Sequence, residues 1–413
     1  MSTLRLRSIL KYKVSSIGRR SGLWLGVWIW LVSGIAGAQQ APAPEVPGLS
    51  GETKEVVGAI SNWQAPELQI KLPVQKVMLE NGLTVLLLED HSVPMISYHT
   101  WYKVGSRNET PGVTGASHML EHMMFKGSEK YAGKTYEAAH HANGSDYNAF
   151  TSFDLTGFYL TFPSNKLDLM LDIEVDRVRN LLLKEEDLKS EREVVKEERR
   201  WRVDNNPMGL MREKIFGTLF KVHPYRNPVI GTMEDISNYT PEKLRYFYDN
   251  YYLPNNAVLV LVGDFVSADV LKKIKKEYGR LPKKDSPQLM LPNEPEQLKA
   301  TAQTLKQSVQ SVTLAIAAQT VGAGHEDQYA LDLLSAILGE GESSRLHRKL
   351  VYEKELATSS YSYHMSLRDH GVFYLGASLR PKSDKAGVMQ ILSQELNRVI
   401  SQKVTAAELE KAK

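Results

Sequence analysis

His118-Met119-Leu120-Glu121-His122 places two imidazoles four residues apart. On a helix such positions share one face, about 6 Å apart at Cβ, which suits two ligands of one tetrahedral ion. Glu121 lies on the adjoining part of that face and can reach a metal-bound water without ligating the metal. Zinc lowers the pKa of its water to roughly 7, and a carboxylate within hydrogen-bond reach then accepts the proton as attack begins. The chain holds no cysteine, so any metal site must be built from His, Asp or Glu. With 11 histidines in the chain the pattern is only moderately specific, and a third ligand is needed.

The helix expected over residues 185–203 supplies candidates. At about 100° per residue, Leu188, Val194, Val195 and Trp201 form its apolar stripe. Glu191 and Glu198, seven residues apart, fall in the middle of that stripe, while Glu193 and Glu197 point away. A carboxylate on a buried face needs a partner, because an unpaired buried charge is costly. A metal ion is one such partner, and a pair of buried salt bridges to Arg or Lys is another. The geometry selects Glu191 or Glu198 without choosing between them.

Outward from this pair, the pattern reads as an α+β protein of two homologous domains. Each is a mostly antiparallel sheet with helices packed on one face. Val77-Met78-Leu79, the turn Glu80-Asn81-Gly82 and Leu83 to Leu88 form a hairpin signal, and 96–104, 153–162 and 257–263 read as strands. Helical signals fall at 114–125, 134–142, 165–183 and 208–220. Residues 74–281 form the expected catalytic domain, and 282–299, with four prolines, a linker. Residues 300–413 restart the plan with a strand at 308–319 and a helix near 327–338, in a second domain expected to be incomplete at its C-terminus. His140-His141, on a short polar helix, reads as surface.

Lys plus Arg (51) nearly balances Asp plus Glu (48), and much of the excess of +3 sits in the first twenty residues. No feature points to a nucleic-acid partner. Residues 1–38 have a signal peptide layout: six Lys and Arg from Arg5 to Arg20, an apolar run from Leu23 to Val32, and Ala36-Gly37-Ala38 as a cleavage signature. Residues 39–73 follow as the leader of a mature chain. The apolar run is short for a membrane span, so export, with the bacterial periplasm as destination and no stable span after signal removal, is the expectation. A mitochondrial transit peptide and a retained anchor are the alternatives.

These residues resemble the pitrilysin/insulinase family of inverted-motif zinc peptidases, especially its small bacterial members related to mitochondrial processing peptidase. The family pattern is HxxEH followed about 75 residues on by a Glu within a segment like Glu191-Arg192-Glu193-Val194-Val195-Lys196-Glu197-Glu198, and 75 residues separate His122 from Glu198 here. Flanking segments agree, among them Phe125-Lys126-Gly127, His223-Pro224-Tyr225 and Tyr252-Leu253-Pro254-Asn255-Asn256. The resemblance implies a zinc endopeptidase holding one Zn2+ per chain on His118, His122 and Glu198. Glu121 is then the general base and Glu191 the supporting carboxylate. It further implies that Asn148, Ala149 and Phe150 lie on an edge strand that takes a peptide substrate as an added strand. Family members often carry an Arg and a Tyr in the second domain, where Tyr352 and Thr358 stand here, with Tyr361 or Tyr363 as substitutes. A homologous partner subunit or a homodimer is therefore expected to complete the site. The rival reading is a non-catalytic or partner-dependent subunit.

Overall fold

A computed structural model of the protein describes residues 71–287 and 290–413; the signal peptide layout and most of the leader lie outside the described residues. The first sheet opens with the expected hairpin, β1 (Gln75–Met78) and β2 (Thr84–Glu89), in a register that pairs Met78 with Thr84. Gly82 makes its turn at φ +88°, and a Cβ there would stand 2.6 Å from the Asn255 Cβ. With β3 (Met95–Tyr102), β4 (Asp146–Thr151), β5 (Thr156–Pro163) and β6 (Ala257–Gly263), the strand order is β1-β2-β6-β3-β5-β4. Every pairing is antiparallel except β2 with β6.

Alternation along β3 shows which face is covered. Ile96, Tyr98, Thr100 and Tyr102 are buried, while Ser97, His99 and Trp101 are half-buried on the other side. The covered face meets α1 (Ala116–Met123), α2 (Lys134–Ala142), α3 (Leu167–Arg179), α4 (Glu185–Arg199), α7 (Pro241–Tyr251) and α8 (Ser267–Tyr278), whose apolar residues share one core with the strands. Two further helices, α5 (Pro207–Leu219) and α6 (Met233–Ser237), complete this half. The edge strands of the sheet are β1 and β4.

Among the described residues 281–312 there is no helix or strand. The second sheet follows: β7 (Thr313–Thr320), β8 (Ala357–Met365) and β9 (Gly371–Leu379), antiparallel in the order β7-β9-β8, with α9 (Gln328–Gly339), α10 (Lys385–Ser401) and α11 (Ala406–Ala412). The order of β3, loop and α1 thus recurs in β7, loop and α9. A smaller apolar cluster joins Phe153, Phe216, Phe220 and Tyr225 to Leu367, between β8 and β9, and to Val372 of β9. Beside it Arg107 donates two hydrogen bonds to the Asp369 carboxylate, and the Tyr225 hydroxyl donates to Asp154 at 2.6 Å. No described helix is long and apolar enough to cross a membrane.

Two expectations are corrected. Val194 and Trp201 do not belong to the buried stripe; they are 48% and 71% exposed. The helix passes at Arg200–Asp204 into a π-helical turn, whose wider winding breaks the 100° phase used to place Trp201. The buried stripe is Leu188, Glu191, Val195 and Arg199, at spacings of three and four. His140 is fully buried, with Nδ1 2.9 Å from Ser145 Oγ and its ring against Tyr136 and Tyr147; only His141 is at the surface. A short helix that is polar on average can still turn one histidine inward when aromatic rings receive it.

Candidate metal centre

The helix carrying both imidazoles starts under tight control. Gly115 adopts φ +86° just before α1, and a Cβ there would meet the Ile230 carbonyl oxygen at 2.5 Å. The buried Glu109 carboxylate accepts the Gly115 and Ser117 amide hydrogens at 2.6 and 2.8 Å, capping a helix end whose first amides have no partner within it. Met119, Leu120 and Met123 are completely buried, so the helix cannot rotate without opening the core. His118 and His122 then face α4, their ring centroids 4.7 Å apart.

Across from them, Glu198 Oε2 lies 3.6 Å from His118 Nε2 and 3.3 Å from His122 Nε2. These three side chains each offer a ligand atom within 4.8 Å of the others. Glu198 Oε2 is buried and accepts no hydrogen bond. An acceptor left bare between two imidazole nitrogens is what a zinc site requires, and the His2Glu donor set suits that metal. The other Glu198 oxygen is held by Arg202 Nε at 3.0 Å.

Glu191 is 4% exposed and lies one step back. Its Oε1 receives His122 Nδ1 at 2.9 Å, and its Oε2 forms an ion pair with Lys126 Nζ at 2.5 Å. A carboxylate in this position fixes the ring's orientation and tautomer. His118 Nδ1 has no partner of this kind among the described residues. The choice that helical geometry left open is thereby resolved in space: Glu198 converges on the rings and Glu191 stands behind one of them.

The electrostatics favour a cation. Burial lowers His118 to about 4, with the charge of His122 adding to the effect. Burial also pulls His122 down, but the hydrogen bond to Glu191 and the nearby Glu198 carboxylate outweigh it and raise that ring to about 9. For Glu198 burial is likewise outweighed, by His122 and the neighbouring cations, and its carboxyl sits below the usual range. A neutral His118 and an ionised Glu198 are the protonation states that binding a cation requires.

Glu121 is held differently. Thr151 Oγ1, at the end of β4, donates to Glu121 Oε2 at 2.5 Å. Burial raises the Glu121 carboxyl, and the Thr151 hydrogen bond and the His122 charge restrain the rise. Asn148 is exposed and Ala149 and Phe150 half-buried on the same edge strand. The Phe150 ring lies across Gly157, where a Cβ would meet it at 2.7 Å, and meets Trp101 edge-on at 5.3 Å. In the second half, Tyr352 is exposed and donates to Glu342, Thr358 caps the Ser378 carbonyl, and Tyr361 and Tyr363 both stand against Tyr374. Glu109, Lys126, Thr151 and Arg202 were not singled out individually in the sequence; Lys126 and Thr151 lay within segments that carry the resemblance.

The fold and the His-His-Glu group fit a family of zinc peptidases. The chain belongs to the M16 (insulinase) peptidase family: the family profile described as "Insulinase (Peptidase family M16)" matches residues 84–233, and "Peptidase M16 inactive domain" matches 238–413. Its relatives include a Helicobacter pylori protein named zinc protease PqqE, 37% identical over 82% of this chain and 77% of that one. An uncharacterized zinc protease of Mycobacterium leprae is 31% identical over 82% and 76%. Among solved structures, a Helicobacter pylori protease superposes with a TM-score of 0.77 at 36% identity, covering 83% of each chain. The periplasmic protease PqqL of Escherichia coli superposes at 0.65 and 21% identity over 83% of this chain and 39% of that one, a likeness of fold.

Proposed function

We propose that the chain is a zinc-dependent endopeptidase that binds peptides or small unfolded proteins as an added strand along β4. The observation that carries this reading is the convergence of His118 Nε2, His122 Nε2 and Glu198 Oε2 beside the half-buried Glu121 carboxylate, which has one oxygen free. Zinc at the trio supplies a Lewis acid that polarises the scissile carbonyl and acidifies water. Glu121 Oε1 accepts the proton from the attacking water and passes it to the leaving nitrogen. Glu191 keeps His122 in the tautomer that presents Nε2 to the trio. The outer side of β4, with Asn148, Ala149 and Phe150, offers backbone groups to an extended peptide, so side chains are read loosely. The described domains are read as 74–281 for catalysis and 300–413 as the homologous second half, joined by 282–299, and the N-terminal pattern supports export to the periplasm.

A partner-dependent form of this activity has a specific observation behind it. The stretch where the family carries its Arg and Tyr places Tyr352 and Thr358 away from any contact with the trio, and the second half matches a profile named as inactive. All of His118, Glu121, His122, Glu191 and Glu198 lie within residues 84–233, outside that profile. The zinc-bearing role is therefore assigned to this chain, and a homologous subunit or a second copy supplies the carbonyl-orienting pair. Glu121→Gln should retain zinc and lose hydrolysis, measured by metal analysis and peptide-library digestion with and without chelator, on the chain alone and with its genomic neighbour. Hydrolysis at the wild-type rate in that variant removes Glu121 from the mechanism.

A further inference from the structure

Beside Glu198, the π-helical turn, the first turns of α5 and strand β9 line an open pocket of about 230 Å³ whose arginines are exposed. Two guanidinium side chains line it, Arg202 and Arg212, and no acidic residue does. Its apolar lining includes Met208, Met211, Phe216 and Tyr374. Arg202 ties the cavity to the metal centre, because its Nε stands 3.0 Å from the Glu198 oxygen that faces away from the imidazoles. Arg212 makes no hydrogen bond or ion pair among the described residues; its guanidinium lies 6.0 Å from the Phe216 ring centre. The first amides of α5 add no free donors at its mouth, since the Asn206 side chain already accepts the Met208 and Gly209 amide hydrogens at 3.0 and 3.1 Å.

A concave site with an unpaired planar cation, a second cation engaged on one side only and an apolar lining has a defined complement. That complement is a carboxylate on a short methylene stem, which can pair with the guanidinium fork while its stem packs on Met and Phe. We propose that this cavity is a carboxylate-recognising subsite of the peptide site, with Arg212 as the pairing cation. It takes an Asp or Glu side chain, or the terminal carboxylate, of a peptide whose scissile bond lies at the trio. This rests on the peptidase reading above and adds a charge preference that strand addition alone does not supply.

Binding to the full-length Glu121→Gln chain, loaded with zinc, tests it without hydrolysis. Fluorescein-labelled peptides of one sequence, with a free or amidated C-terminus and with Glu or Gln at one internal position, are titrated by anisotropy. The carboxylate-bearing members should bind about fivefold more tightly at low salt, as expected for a partly exposed ion pair, and the preference should fade as ionic strength rises. Arg212→Gln should abolish the preference and Arg212→Glu should reverse it towards a Lys-bearing peptide. Lys214→Gln, exposed on the same helix but outside the cavity, should leave it intact. Sensitivity to amidation alone identifies the terminal carboxylate as the ligand, and sensitivity to Glu→Gln alone identifies the side chain. Peptides that bind regardless of charge, or a preference that survives Arg212→Gln, overturn the subsite and leave the peptidase reading standing. If no peptide binds to the folded protein, both fall.

Discussion

Replacing Glu191 by Gln isolates the contribution of the supporting carboxylate. One of its oxygens receives His122 Nδ1 at 2.9 Å and the other is ion-paired with the Lys126 ammonium at 2.5 Å, at a site 4% exposed. Gln keeps the shape but has only one acceptor, so its amide nitrogen must oppose either the imidazole or the ammonium. Hydrogen bonds to charged groups contribute about 1.5–3 kcal/mol against about 1 for neutral ones, and a donor facing a donor inside the protein costs a similar amount again. Because His118 has no such support, the loss falls on one ligand of three. A weakening of zinc binding by about 1.4–2.7 kcal/mol follows, or 10- to 100-fold in Kd, in line with effects seen when outer ligands are removed. Competition against a chromophoric chelator measures it, with thermal unfolding of the zinc-free protein as the control for folding. A folded Glu191→Gln chain whose zinc Kd stays within about twofold of the parent would refute the role given to Glu191.

Three further outcomes follow from the same geometry. The Thr151 hydrogen bond lowers the Glu121 carboxyl against the upward push of burial, so Thr151→Val should raise its pKa. The base works ionised, so the acid limb of the kcat/KM profile should move to higher pH with its plateau kept; no movement, or movement to lower pH, contradicts the assignment. Glu109→Ala removes both acceptors from the first amides of α1 and should cost about 1–2 kcal/mol in chemical denaturation, with zinc affinity reduced in parallel. Gly115→Ala must place a Cβ 2.5 Å from the Ile230 carbonyl in a left-handed backbone conformation. A loss of about 2–4 kcal/mol is expected on denaturation, and unchanged stability would mean the helix start is less constrained than the structure implies.

How much of this was legible in the sequence depended on whether the information was periodic. The hairpin of β1 and β2, strand β6 and helices α1 to α5 carried their own alternation, turn residues or helical spacing, and all are present close to where they were expected. Strand β4 had no alternation strong enough to mark it, and the edge strand expected at Asn148 to Phe150 came from the family resemblance; Asp146 to Thr151 pairs with β5 residue for residue. The strands β8 and β9 were likewise not marked in the sequence, since Ser359, Ser360 and Ser362 dilute the pattern of one and Gly371 and Gly376 that of the other. The apolar stripe of α4 was half misjudged because Trp201 looks like a core residue and only the π-helical turn turns it outward. Glu191 and Glu198 survived that error, because their seven-residue spacing lies wholly within the regular helix.

The site is best understood as three carboxylates, each fixed through one oxygen so that the other can act. Thr151 takes one oxygen of Glu121, Lys126 one of Glu191 and Arg202 one of Glu198. What remains is a free oxygen on Glu121, an oxygen on Glu191 turned to His122, and a bare oxygen on Glu198 turned to both imidazoles. Without those donors, three carboxylates in a half-buried cleft would repel one another and take up protons, losing the very charge that draws a cation. The carboxylates follow from a motif because their spacing is helical. Their donors come from the end of a strand, the turn after α1 and a π-helical turn, three places with no common period. That is why the placement of the carboxylates was readable along the chain, while the means of holding them in place emerged only once the chain was folded.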